Sequence, residues 1–395
     1  MTSVVDTSVK HFLSTMLAAP VGNGVAGSEI AKWDACLVTG FDVKAATSLV
    51  VASGVATLSF ASAHSATVDS VILVSGVTGA LTALNGEQKV TALGVNQLKF
   101  ATAAADGTAT GTITFKMAPA GWEKTFSGTN LAVYRSQDVL GTRMYVRVDD
   151  TGTTFCRLRG YEQMTDVNTG TGLFPTDAQL SGGGYHNKSI SADSTAVKWK
   201  LFADSRGMYL STVGYSAANA AGEAGRTVYI GDFTGSRPGG DPYAFLIGCG
   251  AGGNYNDNSG LCDQSASGHL YAPRAYHGLG GAVVQVPYPE TGASVTSGTD
   301  TFFGPFPSKI DGGMRLSRRF IADGANAEPR GILPGLYTIP QTNVGLSVPP
   351  GSVIPGTGAL VGRKLMAVGC GASSTVYPSS GLGISMIDIT GPWVR

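Results

Sequence analysis

The sequence predicts a mainly β chain, built as several antiparallel sandwich- or barrel-like modules with a small inserted β-domain and a short N-terminal helix. Three observations carry this. β-branched segments alternate with polar residues, Gly, Asn and Asp punctuate them at short intervals, and helical periodicity is rare. Gly supplies 56 of 395 residues without a Gly-X-Y period, so turns are frequent and collagen is excluded. At roughly 150 residues per domain the length corresponds to two or three folding units.

The first element is the predicted helix, in which Thr7 or Ser8 caps Val9 to Leu17 and Pro20 ends it. Residues 1–43 are read as an arm and the first part of a parent domain. The segments 48–60, 68–76, 89–102 and 108–118 are alternating and β-branched, and Asn85-Gly86 supplies the positive φ angles of a tight hairpin. Residues 44–117 are therefore expected to form a compact inserted β-domain. Trp122 and Phe126 then open an aromatic-richer region, and 118–395 is read as the main domain.

In that domain the strand candidates are 131–136, 143–150, 154–164, 196–204, 207–213, 226–233 and 243–250. Within 143–148, Arg143, Tyr145 and Arg147 fall on one face and Met144, Val146 and Val148 on the other. Toward the C-terminus, stretches around Pro305 to Pro307 and Pro329 to Pro355 flank a further candidate at 315–321. Proline denies ladder donors, so these stretches are expected to be ordered loops or edge decorations.

Composition narrows function. Charged residues are 14% of the chain against roughly 25% in ordinary soluble domains, which suits a surface covered by neighbours. Lys plus Arg balance Asp plus Glu at 27 each, so no net field draws the chain to nucleic acid. Residues 45–68 hold no Asp, Glu, Lys or Arg, but Ser, Thr, Gly and His64 interrupt them, and no membrane insertion is expected. Asp6 and the late Lys10 make a poor signal-peptide start. Five scattered cysteines without a C-x-x-C indicate neither zinc nor a dense disulfide framework, although Cys249 and Cys262 are close enough in sequence to pair.

Catalytic and cofactor motifs are weak. Gly22, Gly24 and Gly27 match G-x-G-x-x-G, but no strand precedes them. Gly356, Gly362 and Lys364 miss phosphate-loop spacing, no G-x-S-x-G occurs, and the histidines, His269 and His277 included, lack helical metal spacing. The loop 253–263 is oxygen-rich but lacks the closing Glu of a calcium loop. Asp149 and Asp150 read as a strand ending in a D-D-T-G turn. No enzyme activity, cofactor, metal site or catalytic residue is expected. Arg315, Arg318, Arg319 and Arg330, with Trp122 and Tyr134, are instead the candidate interface residues.

The segments AKWDACLVTGF (31–41), GWEKTFSGTNLAVYRS (121–136), TRMYVRVDDTGT, RGYEQMTDVNTGTGLFPT, PRGILPGLY (329–337) and DITGPW (388–393) together resemble a family of uncharacterised virion structural proteins of tailed bacteriophages. In similar proteins the first segment runs almost directly into the second, which implies that 44–117 is inserted. The resemblance implies a structural protein of the virion, assembled in the host cytoplasm, in the tail, baseplate or neck, with copies of itself and other virion proteins as partners. Three alternatives stay open. One is a capsid decoration protein. A second is a receptor- or glycan-binding adhesin using Tyr185, Trp199, Tyr255 or Tyr271. The last is a hydrolase drawing on Asp149, Asp150, Glu162 or Asp166.

Overall fold

The computed structural model describes residues 3–213, 224–253, 269–289, 303–324, 328–370 and 376–395. The chain is mainly β, and its sheets are antiparallel. Among the described residues the largest sheet has thirteen strands, twelve on one path and Thr234–Gly235 beside it. Its path begins Lys10–Leu13, Lys198–Ala203, Gly207–Val213, Arg226–Asp232, Phe245–Cys249 and His269–Ala272. It continues through Val283–Pro289, Ser317–Asp323, Glu328–Thr338, Gly383–Asp388, Lys364–Cys370 and Val353–Pro355. A five-stranded sheet runs Trp122–Gly128, Leu131–Ser136, Tyr145–Asp149, Phe155–Tyr161, Gly184–Asn187. All eight strands of a third sheet lie between Phe41 and Met117.

The N-terminal helix exists at a different place. Lys10–Leu13 is a strand paired with Lys198–Ala203, and the helix is Ser28–Trp33, continued by a π-turn over Asp34–Thr39. A nine-residue helix has marginal stability of its own, and ladder bonds to a distant strand override it. Ser8 turns its hydroxyl to Asp6 instead of capping a helix.

Turn positions also shift. Asn85 is extended at φ −64°, and its amide grips the backbone of Val77 at 2.9 and 2.8 Å, so it closes a 3₁₀ turn (Gly79–Leu84) instead of a two-residue hairpin. The tight hairpins fall inside segments that read as single strands. Ser53-Gly54, both at positive φ, connects Ala52 to Val55, and Val95-Asn96 connects Gly94 to Gln97.

Proline placement gives a third correction, because Glu328–Thr338 contains Pro329 and Pro334 yet is a central strand. It bends. Its first part pairs with Thr234–Gly235 and Ser317–Asp323, and its last residues pair with Gly383–Asp388. Pro334 falls where the register jumps between Tyr337 opposite Arg318 and Ile332 opposite Phe320, so its missing N–H interrupts no ladder. Gly335 sits at φ +68°, where a Cβ would lie 2.4 Å from the indole nitrogen of Trp393.

One apolar core crosses the sheets. Phe12, Trp33, Phe41, Phe115, Trp122 and Trp199 belong to a single buried cluster, which joins the N-terminal strand, the helix, the 41–117 sheet and both other sheets. Polar clamps fasten the 41–117 sheet at its rim. Lys10 pairs with Glu87 at 3.0 Å, Lys364 with Asp69 at 2.6 Å, and Lys89 donates to the carbonyls of Ile389 and Thr390.

Gly335→Val is expected to destabilise the chain by about 2–4 kcal/mol, since it combines a clash with Trp393 and a strained backbone. The urea midpoint of unfolding measures this.

Candidate functional site

The densest group of titratable side chains lies around the helix Ser28–Trp33. Glu29 and Lys32, one turn apart, both point inward and are buried, with Lys32 Nζ 2.7 Å from Glu29 Oε2. Trp33 Nε1 donates to Glu29 Oε1 at 2.8 Å. Asp150 follows the strand Tyr145–Asp149 and enters the same interior. Its Oδ2 accepts the backbone N–H of Glu29 at 2.7 Å and of Ile30 at 3.2 Å, and its carbonyl accepts that of Gly27 at 3.0 Å. The helix is thus capped by a residue about 120 positions away, a role that Gly27 at the N-cap cannot play.

Lys188, just past the strand Gly184–Asn187, completes the centre. Its Nζ pairs with Asp150 Oδ1 and donates to the carbonyls of Val25 at 2.9 Å and Gly152 at 2.8 Å. His186, two residues earlier on the same strand face, lies 3.7 Å from Glu29 Oε1 without a hydrogen bond to it. At the margin Tyr134 donates to Asp34 at 2.8 Å, and Lys124 pairs with Asp34 at 2.7 Å.

Burial sets the protonation states. It pushes the carboxyl of Glu29 upward, but Lys32, the neighbouring His186 and the Trp33 hydrogen bond outweigh it and hold Glu29 below its ordinary value. Asp150 is raised, by burial first and also by Glu29, against the pull of Lys188. Burial lowers His186 to about 4, so it is neutral at pH 7. The thiols of Cys36 and Cys156 are buried and pushed up, which keeps them protonated and poor nucleophiles.

Two further buried ionic groups bind distant segments. Arg330 joins Asp323 at 2.9 Å and Asp241 at 3.2 Å, and donates to the carbonyls of Arg274 and Tyr243. Near the C-terminus Arg395 grips Asp204 through both terminal guanidinium nitrogens, while Asp232 holds Arg206 and the backbone and hydroxyl of Thr142.

The six interface candidates divide. Trp122, Tyr134, Arg319 and Arg330 are buried within the chain. Trp122 donates its indole N–H to the Asp204 carbonyl at 3.0 Å, and Arg330 neutralises two internal carboxylates. Arg315, paired with Asp311 at 2.7 Å, and Arg318, lying over Phe320, stay at the surface.

The carboxylates considered for hydrolysis are engaged separately. Glu162 makes a forked pair with Arg274 at 2.7 and 2.8 Å, and Asp166 and Asp149 each bond the turn that follows them. Among the aromatic candidates, Trp199 and Tyr271 are buried and Tyr185 is half-buried under Arg157, whose guanidinium lies 3.7 Å from the ring centre. Tyr255, Cys262 and the oxygen-rich loop from Asn254 onward lie outside the described residues. Gly24 packs on the Ser191 carbonyl, where a Cβ would come within 1.8 Å, so its loop is closed against protein.

A cleft of about 280 Å³ opens between the bend at Pro334-Gly335 and the C-terminal segment, lined by Arg318, Leu333, Leu336, Tyr337, Arg363 and Trp393. Arg363 is turned to Asp388 at 3.2 Å and the Gly391 carbonyl at 2.7 Å. Among the described residues no group of three His, Cys, Asp or Glu is arranged to hold a metal ion, and no helix is long and apolar enough to cross a membrane. Compared with family models and with curated proteins, the chain matches none.

Sequence reasoning passed over Glu29, Lys32 and Lys188. A signal for the first two was present, since Glu29, Lys32, Trp33, Cys36 and Leu37 recur at helical spacing. Lys188 has no such local mark.

Two outcomes follow. Replacing Arg330 by Met should cost about 3–5 kcal/mol in the isolated chain, because it strands Asp241 and Asp323 as buried charges, and chemical denaturation reads it. His11 and His186 have folded pKa values of about 4 against 6.5 when unfolded, so only the unfolded chain takes up protons between these limits. Stability should fall as pH drops from about 6.5 to about 4, by on the order of 3 kcal/mol per histidine, and His186→Phe should flatten the slope in urea titrations at stepped pH.

Proposed function

We propose that this chain is a non-enzymatic structural protein of a tailed-phage virion, working through assembly contacts in the tail, baseplate or neck. Placement on the particle follows the resemblance of residues 31–41, 121–175 and the C-terminal segments to virion structural proteins. The observation that carries the assembly role is where charge and apolar surface lie. Buried carboxylates are engaged by internal cations that lock segments together, while ordered loop tips present bare aliphatic side chains.

The clearest tip is Val139-Leu140, between Leu131–Ser136 and Tyr145–Asp149. Both residues are about four-fifths exposed, at 80% and 79%. Asp138 bonds the Leu140 backbone at 2.9 Å, and Asp232 holds Thr142 just beyond. A rigid loop offering two adjacent apolar residues loses little entropy on docking, which is how small contacts become useful when symmetry repeats them.

Antibodies to the chain should label the tail region of purified particles in electron micrographs. Labelling confined to the capsid shell would support the decoration reading, and absence from purified particles would refute both. Leu140→Asp should leave the unfolding midpoint within about 0.5 kcal/mol of wild type, as for other exposed sites. It should nevertheless reduce incorporation of the chain into particles, scored by quantitative mass spectrometry.

A further inference from the structure

We propose that the folded chain joins Lys188 to Asp150 through an isopeptide bond formed autocatalytically, with Lys188 Nζ acylated by Asp150 Cγ and one water released. The two side chains are fully buried and in direct contact. The carbonyls of Val25 and Gly152 hold the nitrogen from its other sides at 2.9 and 2.8 Å, which fixes its direction toward the carboxyl group. Such placement replaces a bimolecular encounter with an oriented intramolecular one.

The groups needed for acyl transfer are present around that contact. Asp150 Oδ2 already accepts two backbone N–H groups, from Glu29 and Ile30, and these donors would stabilise the oxyanion of a tetrahedral intermediate. Burial, reinforced by the negative charge of Glu29, favours the acid form of Asp150, and a carboxylic acid is the competent electrophile. In a dry interior an ammonium–carboxylate contact can pass its proton across and become amine and acid.

The step balances without a co-reactant. One proton moves from the Lys188 ammonium to Asp150 Oδ1, and the amine lone pair then attacks Cγ while the carbonyl electrons move onto Oδ2. A second proton leaves the nitrogen for Oδ1, the Cγ–Oδ1 bond breaks, and water departs as the carbonyl reforms at Oδ2. The amide N–H that remains faces the Val25 and Gly152 carbonyls.

Other buried or partly buried pairs lack this combination. Arg330 and Arg395 present guanidinium groups, which are poor nucleophiles. Lys364 beside Asp69 is half exposed. Lys32 meets Glu29 within one helical turn, so a bond there would close only a tiny loop. A bond between positions 150 and 188 would instead lock the ends of Tyr145–Asp149 and Gly184–Asn187 over the start of the helix.

Mass spectrometry of the purified, denatured full-length chain tests this. The expected mass is one water below that of the sequence, and a tryptic digest should contain a branched peptide linking positions 150 and 188. Lys188→Arg, which keeps the charge without an amine nucleophile, should restore the full mass for its own sequence. A folded wild-type chain at its full sequence mass, giving only separate peptides for the two positions, would overturn the proposal whether or not the variant folds.

Discussion

The structure depends on a small volume of buried charge at the start of the helix Ser28–Trp33. The acid side chains of Glu29 and Asp150 and the lysines Lys32 and Lys188, the groups present before any bond forms between positions 150 and 188, lie there out of reach of water. Isolated, each would be prohibitively costly to bury, and together they are tolerable only because acid and lysine side chains pair at close range and Asp150 and Lys188 also bond the backbone. Their geometry therefore fixes three things at once: the helix, the end of the strand Tyr145–Asp149, and the end of Gly184–Asn187.

Apolar packing then extends outward from this point. Trp33, Tyr134 and Cys156 adjoin the ionic centre and belong to the cluster that reaches Phe115 in the 41–117 sheet and Trp199 in the largest sheet. The remaining ionic groups repeat the device at the periphery, with Arg330 holding the loop before Phe245 and the loop after Ala272, and Arg395 bringing the C-terminus back to Asp204. A chain with few charges places several of them inside, while aliphatic residues such as Val139 and Leu140 stand exposed at the surface. The 41–117 sheet is continuous with the core, yet its rim is tied down by a few long lysines.

Much of the fold was legible because strands carry their signal locally. Leu131–Ser136 and Gly207–Val213 match the sequence reading residue for residue, as both are bounded by turn-forming residues. Legibility failed where the deciding partner is remote. Lys10–Leu13 is a strand only because residues 198–203 lie beside it, and the bend at Pro334 is tolerated only because neighbouring strands exchange there. The site fared worse for the same reason. Arg330 and Trp122 resemble surface anchors in sequence, whereas burial is a property of the whole fold. Asp150 was visible as a strand-ending acid, but nothing within reach of it in sequence announced that Lys188 would meet it.

The central claim is that the ionic centre is the last part of the native state to open. Native-state hydrogen exchange tests it most directly, through the amides of Glu29 and Ile30, which donate to Asp150, and that of Lys188 beside it. These three should exchange only through global unfolding, with the same denaturant dependence as the core strand Gly207–Val213. Exchange of Glu29 and Ile30 by a low-energy local opening, while that strand stays protected, would contradict the account.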